Sequence, residues 1–217
     1  MKNDNSCALV VLVGSFNTQI LRDPKWIKQF LIPDSKQENL EFKLNLEMLS
    51  EEITSSVEID DIKFEVKKGR FSITPKKLNS DSFRKVYKII SNISKNIPHT
   101  PIIAYGINFS FLETSNKSYL LTPNNSILLD CDNKNTELEL KQIYPSDDCL
   151  ISFTISERKI RTKRYEEKLK FNFHVQIKNN PTEALNNLVQ SKLIEKYLSV
   201  AQKHINYIFH KTKETQK

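Results

Sequence analysis

Hydrophobic and polar residues alternate through much of the first half of the chain. Residues 40–48 carry an apolar side chain at every second position, and the same period recurs over 57–66 and 71–73. A period of two is typical of strands with one buried and one solvated face. Between the last two runs, Lys68-Gly69 predicts a tight hairpin turn. These residues therefore predict consecutive antiparallel strands.

Two other runs are apolar almost throughout. Residues 7–13 predict a strand that is buried on both faces. Residues 99–113 form the longest run rich in β-branched and aromatic residues after the N-terminus, and we expect it to be the central strand. Gly106 lies in the middle of this run, where a glycine predicts a bulge or a close backbone approach.

Helical spacing appears in three places. Asp23 and Pro24 can cap and open a short helix over 24–30. Ser80-Asp81 opens a helix whose apolar residues recur at the spacing of one buried stripe as far as Ile97. Asn180-Pro181-Thr182-Glu183 is a capping box, which predicts a single helix from Pro181 to about residue 210.

The second half of the chain repeats the order of the first. Strand-like segments at 138–143, 149–155 and 169–177 precede the last helix. We therefore predict an α+β fold, with antiparallel sheets from two strand-rich halves, each followed by a long amphipathic helix packed on one face. The sequence divides into an N-terminal unit (1–113), a connecting loop (114–136) and a C-terminal unit (137–217), although the two halves can equally form one continuous domain.

The net charge of +7 is unevenly distributed, since most of the surplus of lysine and arginine follows Lys134. A basic half suits an acidic partner, nucleic acid included, although an ordinary lysine-rich surface explains the same charge. Cys7, Cys131 and Cys149 are odd in number and lack CxxC spacing, which favours a reducing compartment. The apolar run 7–13 is too short to span a bilayer. We therefore expect a cytoplasmic protein that does not enter the membrane.

Catalytic motifs are absent from the sequence. The chain has three glycines and contains no GxxxxGK[ST], GxGxxG or GxSxG sequence, and its four histidines have no HExxH or HxH spacing. We therefore predict a protein that is not an enzyme, with no catalytic residue, no metal ligand and no cofactor. One alternative stays open: paired carboxylates can hold Mg²⁺, and Asp130, Asp132, Asp147 and Asp148 would supply them in a divalent-metal nuclease.

The strongest concentration of charge lies at 157–170, between two predicted strands, and indicates a basic hairpin. Such a hairpin can hold a phosphate backbone or form a rim for an acidic protein, and its single tyrosine could stack on a base. An extended solvated loop would carry the same charges. The candidate binding residues are Arg158, Lys159, Arg161, Lys163, Arg164, Tyr165, Lys168 and Lys170.

Two stretches resemble a family of uncharacterised bacterial proteins. Residues 13–27 are similar to the family's opening, G-N-F-N-P-A-I-x-x-P-x-W-L, and residues 99–108 are similar to its H-T-P-V-x-A-L-G-I-N strand. Thr18 and Tyr105 depart from these patterns. The resemblance implies a bacterial accessory-gene setting, such as a mobile or phage-defence locus, and implies no activity. The matching positions are Phe16, Asn17, Ile20, Pro24, Trp26, His99, Thr100, Pro101, Ala104, Gly106, Ile107 and Asn108.

The role of the matching residues, structural or ligand-binding, is open from the sequence. Asn17 and Asn108 each lie close to a glycine in or after a strand, where an amide side chain can satisfy backbone groups left unpaired by a bulge. We expect Trp26 to pack the short helix onto strand 100–112, and His99 to cap a helix end. If Asn17, Asn108 and His99 faced one cleft, they would form a small-ligand site.

Three functional hypotheses follow. The first is a non-catalytic interaction or adaptor subunit of a bacterial complex, in which the partner is another protein subunit or a further copy of the chain. The second is a nucleic-acid-binding module that uses the basic segment 157–170. The third is the divalent-metal nuclease.

Overall fold

The computed structural model describes residues 2–3, 8–38, 40–47, 52–115, 137–145, 149–161 and 164–214. The strands are β1 (Lys2–Asn3), β2 (Val10–Gly14), β3 (Glu41–Glu47), β4 (Glu52–Ile59), β5 (Ile62–Lys67), β6 (Arg70–Pro75), β7 (Ile102–Ser115), β8 (Glu137–Pro145), β9 (Leu150–Arg161) and β10 (Arg164–Gln176). The helices are α1 (Thr18–Leu21), α2 (Pro24–Trp26, continued by a π-helical turn over Ile27–Leu31), α3 (Ser80–Asn96), α4 (Pro181–Gln190) and α5 (Leu193–Glu214).

These strands form one antiparallel sheet, in the order β3-β4-β5-β6-β2-β7-β10-β9-β8. The short β1 pairs with β7 beyond the end of β2. The α+β class predicted from the sequence is therefore confirmed. The separate sheets predicted for the two halves are not found, because β7 from the first half pairs with β10 from the second over twelve of its fourteen residues, from Ser115 to Ala104. The division into 1–113, 114–136 and 137–217 stays a prediction.

The pleat gives the sheet an inner face, which packs against helices, and an outer face on the opposite side. On β7, Tyr105, Ile107, Phe109 and Phe111 lie on the inner face, at most 4% exposed. Phe173 of β10, which pairs with Ile107, stacks on Tyr197 of α5 with ring centroids 4.5 Å apart. The core therefore lies between the inner face and the helices, as expected for alternating strands.

The last helix of the prediction is two helices in the structure. Its start is confirmed: Pro181 is the first residue of α4, and Asn180 Oδ1 accepts from the N–H groups of Thr182 (3.1 Å) and Glu183 (3.3 Å). The single helix from Pro181 to about residue 210 is wrong, because Lys192 adopts a φ of 48° and separates α4 from α5. A left-handed residue cannot continue a right-handed helix.

Contact with α3 explains where α5 begins. The N–H of Ile194, in the first turn of α5, donates to the Tyr87 hydroxyl of α3 at 3.0 Å. The same hydroxyl donates to the carboxylate of Glu195. The first N–H groups of a helix need partners from outside the helix, and here a side chain from another helix supplies one. No helix of the described residues is long and apolar enough to cross a membrane.

The bulge or close approach predicted at Gly106 lies instead at Gly14. Gly106 pairs with Val11 and His174 in unbroken register, whereas the register shifts between Val13 and Gly14. A Cβ atom on Gly14 would lie 2.3 Å from the carbonyl oxygen of Pro101. A Cβ atom on Gly106 would have its nearest neighbour, the Nδ2 atom of Asn172, at 3.7 Å. The prediction was wrong because a glycine inside a strand does not by itself show which backbone approaches it.

Candidate functional site

The outer face carries small and polar side chains where β7, β10, β9 and β8 lie side by side. The aromatic residues of these strands take the alternate positions on the inner face, as the register with Phe109 and Phe111 shows. Two neighbouring rows of the outer face, each crossing four strands, are Ser110–Lys170–Thr154–Lys141 and Asn108–Asn172–Ser152–Ile143. Ser110 is fully buried, and the other six polar residues of these rows are partly or fully exposed, so this part of the sheet presents hydrogen-bonding groups and lysines.

Two large apolar side chains interrupt the polar outer face. Ile143 is 54% exposed and Leu150 is 44% exposed. Ile143 pairs with Ser152, two residues from Leu150 on β9, and such diagonal positions lie within side-chain reach. Lys141 and Lys170, both exposed, belong to the next row of the sheet. We refer to Lys141, Ile143, Leu150 and Lys170 as the outer-face patch.

A change of alternation in the sequence is the signal that could have revealed the patch. Leu138 and Leu140 share one parity, whereas Ile143 has the other, and a strand cannot bury both sets on one face. Leu150 precedes Ile151 directly, so one of these two side chains has to face outward. This change of alternation does not predict which strands lie beside β8 and β9.

The basic segment 157–170 forms the hairpin between β9 and β10, as predicted. The pleat divides its residues between two faces. Arg158, Lys168 and Lys170 occupy outer-face positions, whereas Lys159 pairs with Tyr165 at an inner-face position. The last pair of the ladder is Arg161 with Arg164, beyond a register shift, and Lys163 lies outside the described residues. The candidate cations therefore do not all belong to one surface.

Residues of the first family-like motif act in local structure. Asn17 Oδ1 accepts from the N–H groups of Gln19 (3.1 Å) and Ile20 (3.4 Å), which caps α1. The ring of Phe16 lies 6.3 Å from that of Phe71, at the margin of the core. The amide of Asn17 is therefore used by the backbone that follows β2.

The helix after this motif begins as predicted. Pro24 is the first residue of α2, and Asp23 Oδ1 accepts from the N–H of Lys25 at 2.9 Å. Trp26 is half-buried against the core, and its ring lies 5.1 Å from the ring of Phe30 in the following turn. Both motif residues thus shape the helix and its packing.

The second motif begins with the turn that leads into β7. The carbonyl of Pro101 accepts from the N–H of Ser15 at 3.2 Å, and the N–H of Thr100 donates to the carbonyl of Ile97 at 3.1 Å. His99 is exposed in this turn. These bonds hold the start of β7 against the end of β2.

Farther along β7, Asn108 binds the chain before β2. Its Nδ2 donates to the carbonyl of Ala8 at 3.0 Å, and its backbone N–H donates to the carbonyl of Leu9 at 2.8 Å. Asn108 and Asn172 are paired, and the amides of both lie within 3.9 Å of where the Cβ of Gly106 would be. The three residues thus form a polar part of the outer face.

Asn17 and Asn108 lie in separate parts of the structure. Asn17 follows Gly14, which pairs with Ile102 at the start of β7. Asn108 is six residues farther along that strand, which places it about 20 Å from Ile102 at the usual rise per residue. The two amides are therefore bonded to separate backbone segments, and a small-ligand site that combines them with His99 stays a prediction.

A row of three glutamates crosses the inner face, and it was not predicted from the sequence. Glu113, Glu167 and Glu157 pair across β7, β10 and β9, and the last two are fully buried. All three have further interactions in the molecule. The described residues contain no group of three side chains placed to hold a metal ion. Asp130, Asp132, Asp147 and Asp148 of the nuclease hypothesis lie outside the described residues.

Comparison of the chain with models of known protein families, with curated proteins and with solved structures gives no match.

Proposed function

We propose that this protein is a non-catalytic interaction subunit that binds another protein through the outer-face patch. The observation that carries the proposal is that two exposed apolar side chains, Ile143 and Leu150, occupy diagonal positions among the mainly polar outer-face residues of β8 and β9. Protein interfaces commonly combine an apolar centre with a polar rim. Lys141 and Lys170 would belong to such a rim.

The charge of the patch favours an acidic partner. Lys141 and Lys170 are both exposed, and they lie on either side of Thr154 in the same row. Glu139, on the same face of β8, is the nearest acidic position along that strand. Lysines at the rim of an interface mainly raise the association rate and select the partner, whereas the apolar centre limits dissociation.

The test is capture of the partner from a lysate of the native host by the full-length protein. Ile143→Asp combined with Leu150→Asp should abolish recovery of the partner, because each carboxylate would be buried in the interface. The matched control is Ile103→Asp, which alters a side chain that is 58% exposed at the start of β7. Equal recovery by the parent, the control and the double variant would refute the proposal.

Binding of nucleic acid by the basic hairpin is the second candidate. Its support is that Arg158, Lys168 and Lys170 share outer-face positions on two adjacent strands. Aromatic residues of β7, β9 and β10 lie at inner-face positions, so this face offers phosphate contacts without base stacking. Reversal of Arg158, Lys168 and Lys170 to glutamate should then abolish retention on DNA or RNA.

Salt dependence separates the two candidates. Binding through phosphates weakens steeply with salt, by roughly one unit of log–log slope per phosphate contacted. If the partner is a protein, the same triple reversal should leave nucleic-acid retention unchanged. Metal-dependent cleavage that is lost on changing Asp130, Asp132, Asp147 or Asp148 to asparagine would instead establish the nuclease.

A further inference from the structure

We propose that β3 pairs with β3 of a second copy of the chain, so that the sheets of two molecules become continuous. Among the strands that the structure describes, β3 is the last at its end of the sheet, and its seven residues pair with β4 without a register shift. Phe42 is 43% exposed and Leu44 is 60% exposed on its inner face. A regular, apolar edge strand is a template for pairing with another chain unless something protects it.

The topology restricts such pairing to like edges. Nine strands alternate in direction between β3 and β8, so these two edge strands are parallel to each other. If the edge strands of two copies pair in antiparallel orientation and the helices of both copies lie on the same side of the combined sheet, the copies are related by a two-fold axis perpendicular to the sheet. This axis brings β3 against β3 of the second copy, or β8 against its own equivalent, and never β3 against β8. The interface would therefore be isologous.

Between the two edges, β3 is better suited to self-pairing. Its inner-face positions are Phe42, Leu44 and Leu46, whereas β8 has Gln142 among its inner-face positions. β8 also ends in Pro145, and proline protects an edge because it lacks the N–H donor. The β3 edge lies at the opposite end of the sheet from the outer-face patch, so this proposal does not depend on the proposed function.

The charges of β3 point to a second copy as the occupant. Glu41 pairs with Glu58 of β4 and Glu47 pairs with Glu52, so the ladder places two glutamates of β3 at register positions opposite glutamates of β4. Lys76 forms an ion pair with Glu58, whereas the Oε2 atom of Glu41 lies 4.0 Å from the Nζ atom of Lys43 on its own strand. A lysine from the second copy would relieve either pair, since opposite charges directly across a ladder are favourable.

Two positions of the two-fold axis along β3 place Lys43 of one copy opposite a glutamate of β3 in the other copy. With Phe42 on the axis, Lys43 faces Glu41 of the second copy, and with Asn45 on the axis it faces Glu47. The two intermediate registers are unfavourable, because an axis at Lys43 opposes two lysines and an axis at Leu44 opposes Glu41 to Glu47. In each favourable register the contact occurs twice.

The test is sedimentation velocity of the full chain over a range of concentrations. The parent should form dimers, and Lys43→Glu should weaken self-association about tenfold or more, because two attractive contacts become repulsive. Lys141→Glu, an exposed lysine on the other edge strand, is the matched control and should leave the dimer unchanged. A parent that stays monomeric throughout, or a dimer insensitive to Lys43→Glu, would overturn the proposal.

Charge exchange then identifies the register. Glu41→Lys with Lys43→Glu should restore the dimer if Phe42 lies on the axis, and Glu47→Lys with Lys43→Glu should restore it if Asn45 does. Failure of both double variants, when Lys43→Glu alone dissociates the dimer, would refute strand pairing. Slower amide exchange of residues 41–47 at high protein concentration should accompany the dimer, and its absence would contradict the interface.

Discussion

At the scale of single residues, Tyr87 connects two helices whose contacting residues are more than 100 positions apart in the sequence. Its hydroxyl joins α3 to the first turn of α5 through Ile194 and Glu195. We predict that Tyr87→Phe lowers the free energy of unfolding by about 1–3 kcal/mol, because a buried N–H and a carboxylate each lose a partner. Denaturant titration checks this value. A stability equal to that of the parent would show that water replaces the hydroxyl.

The effect of Tyr87→Phe should depend on pH. Burial raises the pKa of Tyr87, and the hydrogen bond to Glu195 raises it further. The folded state therefore holds this proton more tightly than the unfolded state. The stabilisation is complete below the ordinary tyrosine pKa of about 10 and declines as the pH rises above it. The difference in unfolding free energy between parent and variant should accordingly shrink above about pH 10 and stay constant below.

Gly14 and Gly106 provide a matched pair of substitutions. Gly14→Ala would place a Cβ atom 2.3 Å from the carbonyl oxygen of Pro101. This oxygen belongs to the backbone, so it cannot move away without a cost in free energy. We predict a loss of about 2 kcal/mol or more for Gly14→Ala, whereas Gly106→Ala should be tolerated, since its nearest contact would be 3.7 Å. Thermal unfolding of both variants checks the contrast. A larger loss at Gly106 would restore the sequence-based interpretation.

At the scale of elements, local patterns predicted those parts of the fold that local contacts determine. The cap at Asn180, the proline start of α2 and the hairpin at Gly69, with its φ of 71°, all match. The break at Lys192 could not be predicted, because Tyr87, the residue that caps α5, is 107 positions away from Ile194. The capping box indicated where the helix begins and carried no information on where it is interrupted.

The break itself suggests a stabilising substitution. Lys192 is exposed and has a φ of 48°, a conformation that glycine adopts without strain. We predict that Lys192→Gly leaves the free energy of unfolding unchanged or raises it by up to about 1 kcal/mol. Lys203→Gly, at an exposed position inside α5, is the control and should cost about 1 kcal/mol. Equal losses in both variants would mean that residues 191–192 are helical in solution.

At the scale of the whole molecule, the sheet order was beyond the reach of the sequence. The alternation of residues 169–177 predicted a strand, but it could not predict that this strand pairs with β7. More than fifty residues separate the two segments in the sequence, and the sequence pattern carries no information on such a distant contact. The outer-face patch was missed for the same reason. Its members Ile143 and Leu150 become neighbours only when β8 pairs with β9.

The continuous sheet predicts that the two halves of the chain unfold together. Phe64, in β5, and Phe173, in β10, are fully buried on the inner face of this sheet. Either residue changed to alanine should cost about 3–5 kcal/mol through the cavity it leaves. Because β2, β7 and β10 pair side by side, we expect both variants to lower one shared transition.

Trp26 makes this prediction testable, since it is the one tryptophan of the chain and lies in the first half. Its fluorescence reports on α2, whereas circular dichroism in the far ultraviolet reports on all strands and helices. In Phe173→Ala, both signals should shift to the same lower midpoint, because loss of packing on β10 is transmitted through β7. If the Trp26 midpoint stayed at the parent value while the dichroism midpoint fell, the halves would be separate cooperative units despite their shared sheet.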